Sequence, residues 1–203
     1  WDKSQVGTLY QEIVLKTMGF EIPIKFWKKN DNLRFETSFM DQNQILVVTP
    51  NAGWQIQNGS TTDIPVDELE GVKAQILNQT FASPLSIDLE AEKSTSNFAI
   101  QGIEKLGDAK CYKMQMTPKD TGNNKSVGNF WFETNSYLLR RIVFTGGENE
   151  GQNFAMEVKE YQNVGGHIFP KMLELTIGQD QNVSVEFKNI KVNEPIDDGL
   201  FKK

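Results

Sequence analysis

Histidine and cysteine are nearly absent from this chain: His167 and Cys111 are the only examples in 203 residues. A single cysteine excludes an intrachain disulfide and the CxxC pairs of redox enzymes and zinc ribbons. Nucleophilic catalysis normally needs a base, usually His, held beside a Ser or Cys. Here the one histidine follows Gly165-Gly166 at the start of a strand pattern, where a loop-edge residue is the simplest reading. Cys111 alternates with Lys113 and reads as a small strand residue. One His and one Cys do not assemble a zinc site, and the acidic stretch Gly146 to Gly151 lacks the ligand spacing of a calcium loop. No metal and no cofactor is expected.

Basic charge is also scarce. Lys and Arg total 21 against 27 Asp and Glu, a formal charge of -6, whereas nucleic-acid binding needs clustered cations to neutralise phosphates. The pairs Lys28-Lys29 and Lys202-Lys203 read as solvated surface. No apolar run approaches the roughly 18 residues of a membrane span, and 38% hydrophobic with 24% charged residues argues against disorder. The folded part is therefore expected to be soluble. Walker-type loops and dinucleotide fingerprints are missing, so Gly146-Gly147 and Gly165-Gly166 read as turns. The acids could in principle pair as glycosidase carboxylates, a spacing set in three dimensions. Asp197-Asp198 read more simply as the cap of a short terminal helix. The numbering opens at Trp1 without Met or a signal peptide, which suggests a processed form. Sequons at Asn58, Asn78, Asn124 and Asn182 fit the general abundance of Asn.

What the chain does have is a period-two rhythm in segments about 8 to 12 residues apart, divided by Gly, Asn, Asp and Pro. Strands are expected over Ser4 to Lys16, Ile22 to Lys29, Leu33 to Phe39 and Ile45 to Thr49, with another starting at Trp54 and Ile56. The rhythm breaks between Pro65 and about Ala91. Val66, Leu69, Val72, Ile76 and Thr80 fall near helical spacing, with Pro65 suited to a first turn and Asp67, Glu68 and Glu70 beside the positive end. A helix over Pro65 to Gln79 follows. Leu85, Ile87 and Leu89 fit either a second short helix or an extended segment. A second series covers Phe98 to Glu104, Lys110 to Thr117, Ser126 to Thr134, Leu138 to Thr145, Asn153 to Tyr161, His167 to Ile177 and Asn182 to Lys191. About twelve antiparallel strands should curl rather than lie flat. The expected fold is mainly β: a curved antiparallel sheet forming an unclosed half-barrel, covered by one or two helices between the strand series, as a single domain over residues 1–203.

Large apolar side chains occupy both faces of several strands. Phe130 and Phe132 alternate with Trp131, while Tyr112, Met114 and Met116 share a face. Two apolar faces need two covers, one helical and the other an apolar ligand or further protein. Arg140-Arg141 are adjacent and, by simple alternation, face opposite ways.

The tract KFWKKNDNLRFETSFMDQNQILVVTPNAGWQIQNG and the end VSVEFKNIKVNEPIDDGLFKK resemble the bacterial LolA-like lipoprotein-carrier family. The shared pattern is a strand with Trp27, the basic turn Lys28-Lys29, a strand Leu33 to Phe39, the run Ile45 to Val48 and an aromatic Trp54 after a short turn. It ends with Val185 to Val192, Ile196-Asp197 and Phe201. The resemblance implies an unclosed half-barrel with helical lids over a hydrophobic cavity, working in the periplasm on acyl chains of lipoproteins. Two departures stand out: a family helix should precede the first strand, and the basic-turn Arg that latches the carrier's lid aligns with Asn30.

From these features the expected function is non-catalytic binding and transport of lipid or lipoprotein acyl chains by a monomer in the cell envelope. The alternative is an envelope sensor or scaffold that binds a protein partner on the same fold. Expected ligand-lining residues are Phe35, Trp54, Met114, Trp131 and Phe144.

Overall fold

The computed structural model describes residues 6–80, 95–120, 126–146, 154–178 and 181–203. A first meander comprises β1 (Thr8–Thr17), β2 (Phe20–Lys29), β3 (Asn32–Phe39), β4 (Gln42–Val48), β5 (Gly53–Gln57) and β6 (Ser60–Ile64). Next come a 3₁₀ turn, Val66–Glu68, and the helix α1 (Leu69–Gln79). The second series is β7 (Ser96–Leu106), β8 (Ala109–Pro118), β9 (Val127–Glu133), β10 (Leu139–Thr145), β11 (Phe154–Val164), β12 (His167–Ile177) and β13 (Gln181–Val192). A 3₁₀ turn, Asp198–Phe201, closes the chain.

These strands form one sheet in the order β6-β5-β4-β3-β2-β1-β13-β12-β11-β10-β9-β8-β7. Successive neighbours within each meander are antiparallel. Among the described residues the edges β6 and β7 are not joined, so the fold is mainly β and unclosed, as the rhythm implies. Tight turns set the hairpins: Met18-Gly19 and Asn58-Gly59 both have positive φ, which Gly and Asn adopt at little cost.

The strand rhythm missed β6. Its sequence STTDI is polar and mostly exposed, so no alternation marks it. The expected helix starts later than Pro65, because the first turn is 3₁₀ and leaves Val66 76% exposed. The apolar stripe is real at Leu69 and Ile76, both buried, and the Thr80 hydroxyl donates to the Ile76 carbonyl at 2.8 Å, closing the helix. Leu85, Ile87 and Leu89 lie outside the described residues.

The chain packs as two units. The first holds Trp1–Pro84, Gln162–Lys171 and Val185–Lys203; the second holds Leu85–Tyr161 and Met172–Ser184. In the first unit, cross-strand partners share a face: Gln11 stands opposite Phe26, Phe26 opposite Phe35, and Phe35 opposite Leu46. This face is buried, and α1 seats against it where Leu69 reaches Gly53; a Cβ at Gly53 would lie 2.6 Å from Leu69 Cδ2. The opposite face carries Trp27, Val47 and Trp54 and is covered by the C-terminal segment, with Phe201, Leu200 and Ile196 packed against it. Arg34 secures that segment by donating to the Leu200 carbonyl at 2.8 Å, and Lys29 by pairing with Asp198 at 2.6 Å. Asp197 caps the final turn as expected, accepting from the Gly199 amide at 2.9 Å.

Candidate apolar binding face

In the second unit, register sorts the strands into an apolar and a polar face. Met114 pairs across to Phe130, Tyr112 to Phe132 and Met116 to Gly128. Phe130 faces Ile142 on β10, and Ile142 faces Met156 on β11. Phe98 and Ile100 join from β7 opposite Met116 and Met114. One face of five strands is thus apolar, aromatic and rich in adaptable thioethers.

Its rings touch in sequence. Phe130 and Phe144 meet edge to face at 5.8 Å, Phe130 and Phe132 stack at 6.5 Å, and Phe144 tilts against Phe154 at 6.3 Å. Gly128 makes this possible, since a Cβ there would lie 2.9 Å from both the Phe130 and Phe144 rings. Burial falls off across the face. Phe130 is 1% exposed, Tyr112, Met114, Phe132, Phe144 and Phe154 are half-buried, and Ile100 and Ile103 on β7 are 73% and 60% exposed.

The polar face is organised around Trp131. Lys113 and Arg141 approach its ring to 5.2 and 5.6 Å, and its Nε1 donates to Glu104 at 2.8 Å. Lys113 donates to the same carboxylate at 2.9 Å. The Lys113 bond first, then the Trp131 bond, holds Glu104 below the usual carboxylate range. Alternation misassigned Arg140-Arg141: a register shift between Leu139 and Arg141 is a β-bulge that turns both arginines toward this face. Arg140 pairs with Glu133 at 2.5 Å, and both arginines line a cavity of about 320 Å³ with Glu157 and Lys159.

The five residues expected to line a ligand site are therefore divided. Met114 and Phe144 lie on the apolar face of the second unit. Trp131 lies on its polar face. In the first unit, Phe35 is 3% exposed on the helix-bearing face, and Trp54, 6% exposed, packs on the other face beneath Phe201. The residues that join Met114 and Phe144 on the apolar face, chiefly Phe130 and Phe132, carry a readable signal, being one position off Trp131 in the alternation. Cys111 is fully buried, and burial pushes its thiol pKa up. His167 is half-buried at the start of β12.

One residue was not singled out in the sequence. Gln11 stands between Leu9 and Ile13 on β1 and directly opposite Phe26. It is 0% exposed, yet neither amide atom has a hydrogen-bond partner. Leaving a buried amide unpaired costs about 1–3 kcal/mol.

A family model described as an uncharacterized protein matches residues 86–203. No curated protein matches the sequence. Among solved structures, a DUF1329 family protein from Desulfovibrio piger aligns with TM-score 0.61 and 13% identity, over 98% of this chain and 91% of that one. A LolA superfamily protein from Nitrosomonas europaea aligns with TM-score 0.58 and 10% identity, over 99% and 91%. A Vibrio parahaemolyticus domain described as that of an outer membrane lipoprotein-sorting protein gives TM-score 0.58 and 10% identity, over 96% and 89%. At these identities the likeness establishes the fold.

Proposed function

We propose that this chain, which belongs to the family whose model spans residues 86–203 and has the LolA-like fold, binds acyl chains of lipids or lipoproteins without covalent chemistry and carries them in the bacterial envelope. The observation that carries this reading is the apolar face of β7 to β11, where Met114, Phe132, Phe144 and Phe154 are only half-buried and Ile100 and Ile103 largely exposed. A contiguous apolar surface of this kind marks a binding site. Its rings offer broad contact, and Met114 and Met116 can reshape around chains of different length. Enclosing a chain of about 15 carbons returns roughly 12 kcal/mol before ordering costs, so shielding alone gives useful affinity. The lipoprotein-sorting description of the Vibrio parahaemolyticus domain supports the same ligand class.

On this reading the ligand lies along Met114, Phe130, Phe132 and Phe144, and the protein works in the periplasm or at the envelope. Trp131 and Trp54 stand on other faces and orient neighbouring side chains instead. Mass spectrometry of protein extracted under native conditions should reveal bound lipid, and that lipid should displace a fluorescent fatty acid. Protein free of lipid that also leaves the probe unbound overturns the proposal.

A second reading draws on β7. It is a sheet edge among the described residues, and its exposed Ile100 and Ile103 would suit an added strand from a protein partner. Partner capture that persists after delipidation would favour it.

A further inference from the structure

We propose that the cavity beside Arg141, on the polar face of the second unit, binds a small aliphatic carboxylate through the Arg141 guanidinium. Its lining runs from Leu106 and Gly107 to Arg140, Arg141 and the stretch Glu157 to Lys159, and belongs wholly to that unit. The cavity stands on the other side of β9 and β10 from Phe130 and Ile142 of the apolar face, so the inference goes beyond the acyl-chain reading and does not depend on it.

Cross-strand register sets one row on this face: Lys113 opposite Trp131, Trp131 opposite Arg141, and Arg141 opposite Glu157. The neighbouring cations are already paired. Lys113 donates to Glu104 at 2.9 Å, and Lys159 pairs with Glu157 at 2.9 Å and Glu174 at 2.8 Å. Arg140 pairs with Glu133 at 2.5 Å and donates to the Val158 carbonyl at 3.3 Å. Arg141 differs. It is half-buried, and among the described residues its guanidinium has no hydrogen bond or ion pair, only the Trp131 ring at 5.6 Å. Even Glu157, its direct cross-strand partner, turns to Lys159 instead. A guanidinium has only donors, set in a fixed fork, so one left without an acceptor beside a cavity is the open half of a recognition pair.

The setting defines the class of ligand. The Trp131 ring holds the guanidinium by cation–π attraction, and a planar fork held in this way takes a planar carboxylate through two parallel N–H···O bonds. Glu157 lines the cavity and Glu174 stands behind Lys159, so a doubly charged phosphate meets more repulsion here than a singly charged carboxylate. The cavity holds about 320 Å³, with Leu106 and Val158 among its walls, room for a short aliphatic chain behind the charged end.

The test titrates the whole chain with sodium butyrate and with inorganic phosphate at pH 7, the ionic strength held constant with chloride, and follows both calorimetric heat and tryptophan emission. Butyrate should give a saturable signal in both, and phosphate should bind more weakly. Arg141→Gln should weaken butyrate by about thirtyfold or more, and Arg141→Lys by about tenfold, because a point charge replaces the fork. Glu157→Gln removes a competing negative charge and should tighten butyrate by about threefold, a gain that loss of structure cannot imitate. In Trp131→Phe the emission response should vanish while the heat remains. Urea unfolding of each variant controls for folding. Absence of saturable binding, tighter binding of phosphate, butyrate affinity kept in Arg141→Gln, or an emission response that persists in Trp131→Phe would each overturn the assignment. None of these results bears on the apolar face, which displacement of the fluorescent fatty acid reads separately.

Discussion

The Tyr161 hydroxyl donates to the main-chain carbonyl of Leu139, at the residue where the β9–β10 register shifts. Arg140 holds the same bulge, donating to the Val158 carbonyl at 3.3 Å and pairing with Glu133. The bulge is thus clamped by two side chains, and its consequence is chemical: Arg140 and Arg141 both join the polar face, which leaves the apolar face of the second unit free of their charge.

Burial pushes the Tyr161 pKa above its ordinary value of 10.0. The neutral phenol is therefore favoured in the folded state, while the unfolded chain ionises first. The associated stability is complete below about pH 10 and declines as pH rises toward the folded value. Tyr161→Phe should cost about 1–2 kcal/mol at pH 7 by leaving the Leu139 carbonyl unpaired. It should also flatten the loss of stability above pH 10. Urea unfolding at pH 7 and at pH 10.5 checks both; parallel pH slopes for the two proteins would contradict the clamp.

That bulge marks a boundary of what the amino-acid pattern reveals. Period-two runs such as Leu33 to Phe39 locate strands because burial on one face must recur at every second residue. They also separate Trp131 from Phe130 and Phe132. They do not say which of two apolar faces meets water. Trp131 resembles an interior residue by hydrophobicity, yet Lys113, Arg141 and Glu104 place it on the polar side. Trp54 resembles a cavity wall but lies under Phe201, a residue 147 positions away whose approach no local pattern encodes. Gln11 is the sharpest case. Alternation with Leu9 and Ile13 puts it on their face, but only the structure shows that the amide is wholly buried there without a partner.

Two glycine substitutions should act in opposite directions. At Gly128 a new Cβ would press on the Phe130 and Phe144 rings at 2.9 Å, so Gly128→Ala should destabilise by about 1–3 kcal/mol through overpacking. Gly71 lies in α1 with nothing within 4 Å of a Cβ. Gly71→Ala should stabilise by about 0.5–1 kcal/mol by limiting the unfolded chain and favouring the helix. Thermal and urea unfolding of the pair, run side by side, measure the contrast. A Gly128→Ala protein as stable as the unaltered one would mean that the aromatic cluster tolerates the extra carbon.

The C-terminal segment should be worth a substantial part of the first unit's stability. Phe201 is 7% exposed and closes over Val47 and Trp54. Phe201→Ala should cost about 3–5 kcal/mol. The same change should open Trp54 to solvent, seen as greater acrylamide quenching and a red shift in indole emission. Arg34→Ala, which removes the bond to the Leu200 carbonyl, should reproduce the emission change at smaller cost in stability. An unchanged spectrum in both variants would detach the segment from the Trp54 face.

The two faces of the second unit can be told apart by function. Met114 is half-buried on the apolar face beside Phe130, so Met114→Glu adds a carboxylate where an acyl chain should lie. Desolvating that charge is expensive, and affinity for a fluorescent fatty acid should fall by about tenfold or more, roughly 1.4 kcal/mol. Trp131→Phe keeps an aromatic ring but loses the Nε1 donor to Glu104. It should lower stability by about 1 kcal/mol and leave fatty-acid affinity within about twofold, because the ring stands on the other side of β9. Far-UV circular dichroism of both variants controls for folding. If Trp131→Phe abolished binding while Met114→Glu did not, the ligand would belong on the polar face, between Lys113 and Arg141, and the acyl-chain assignment would fail at its foundation.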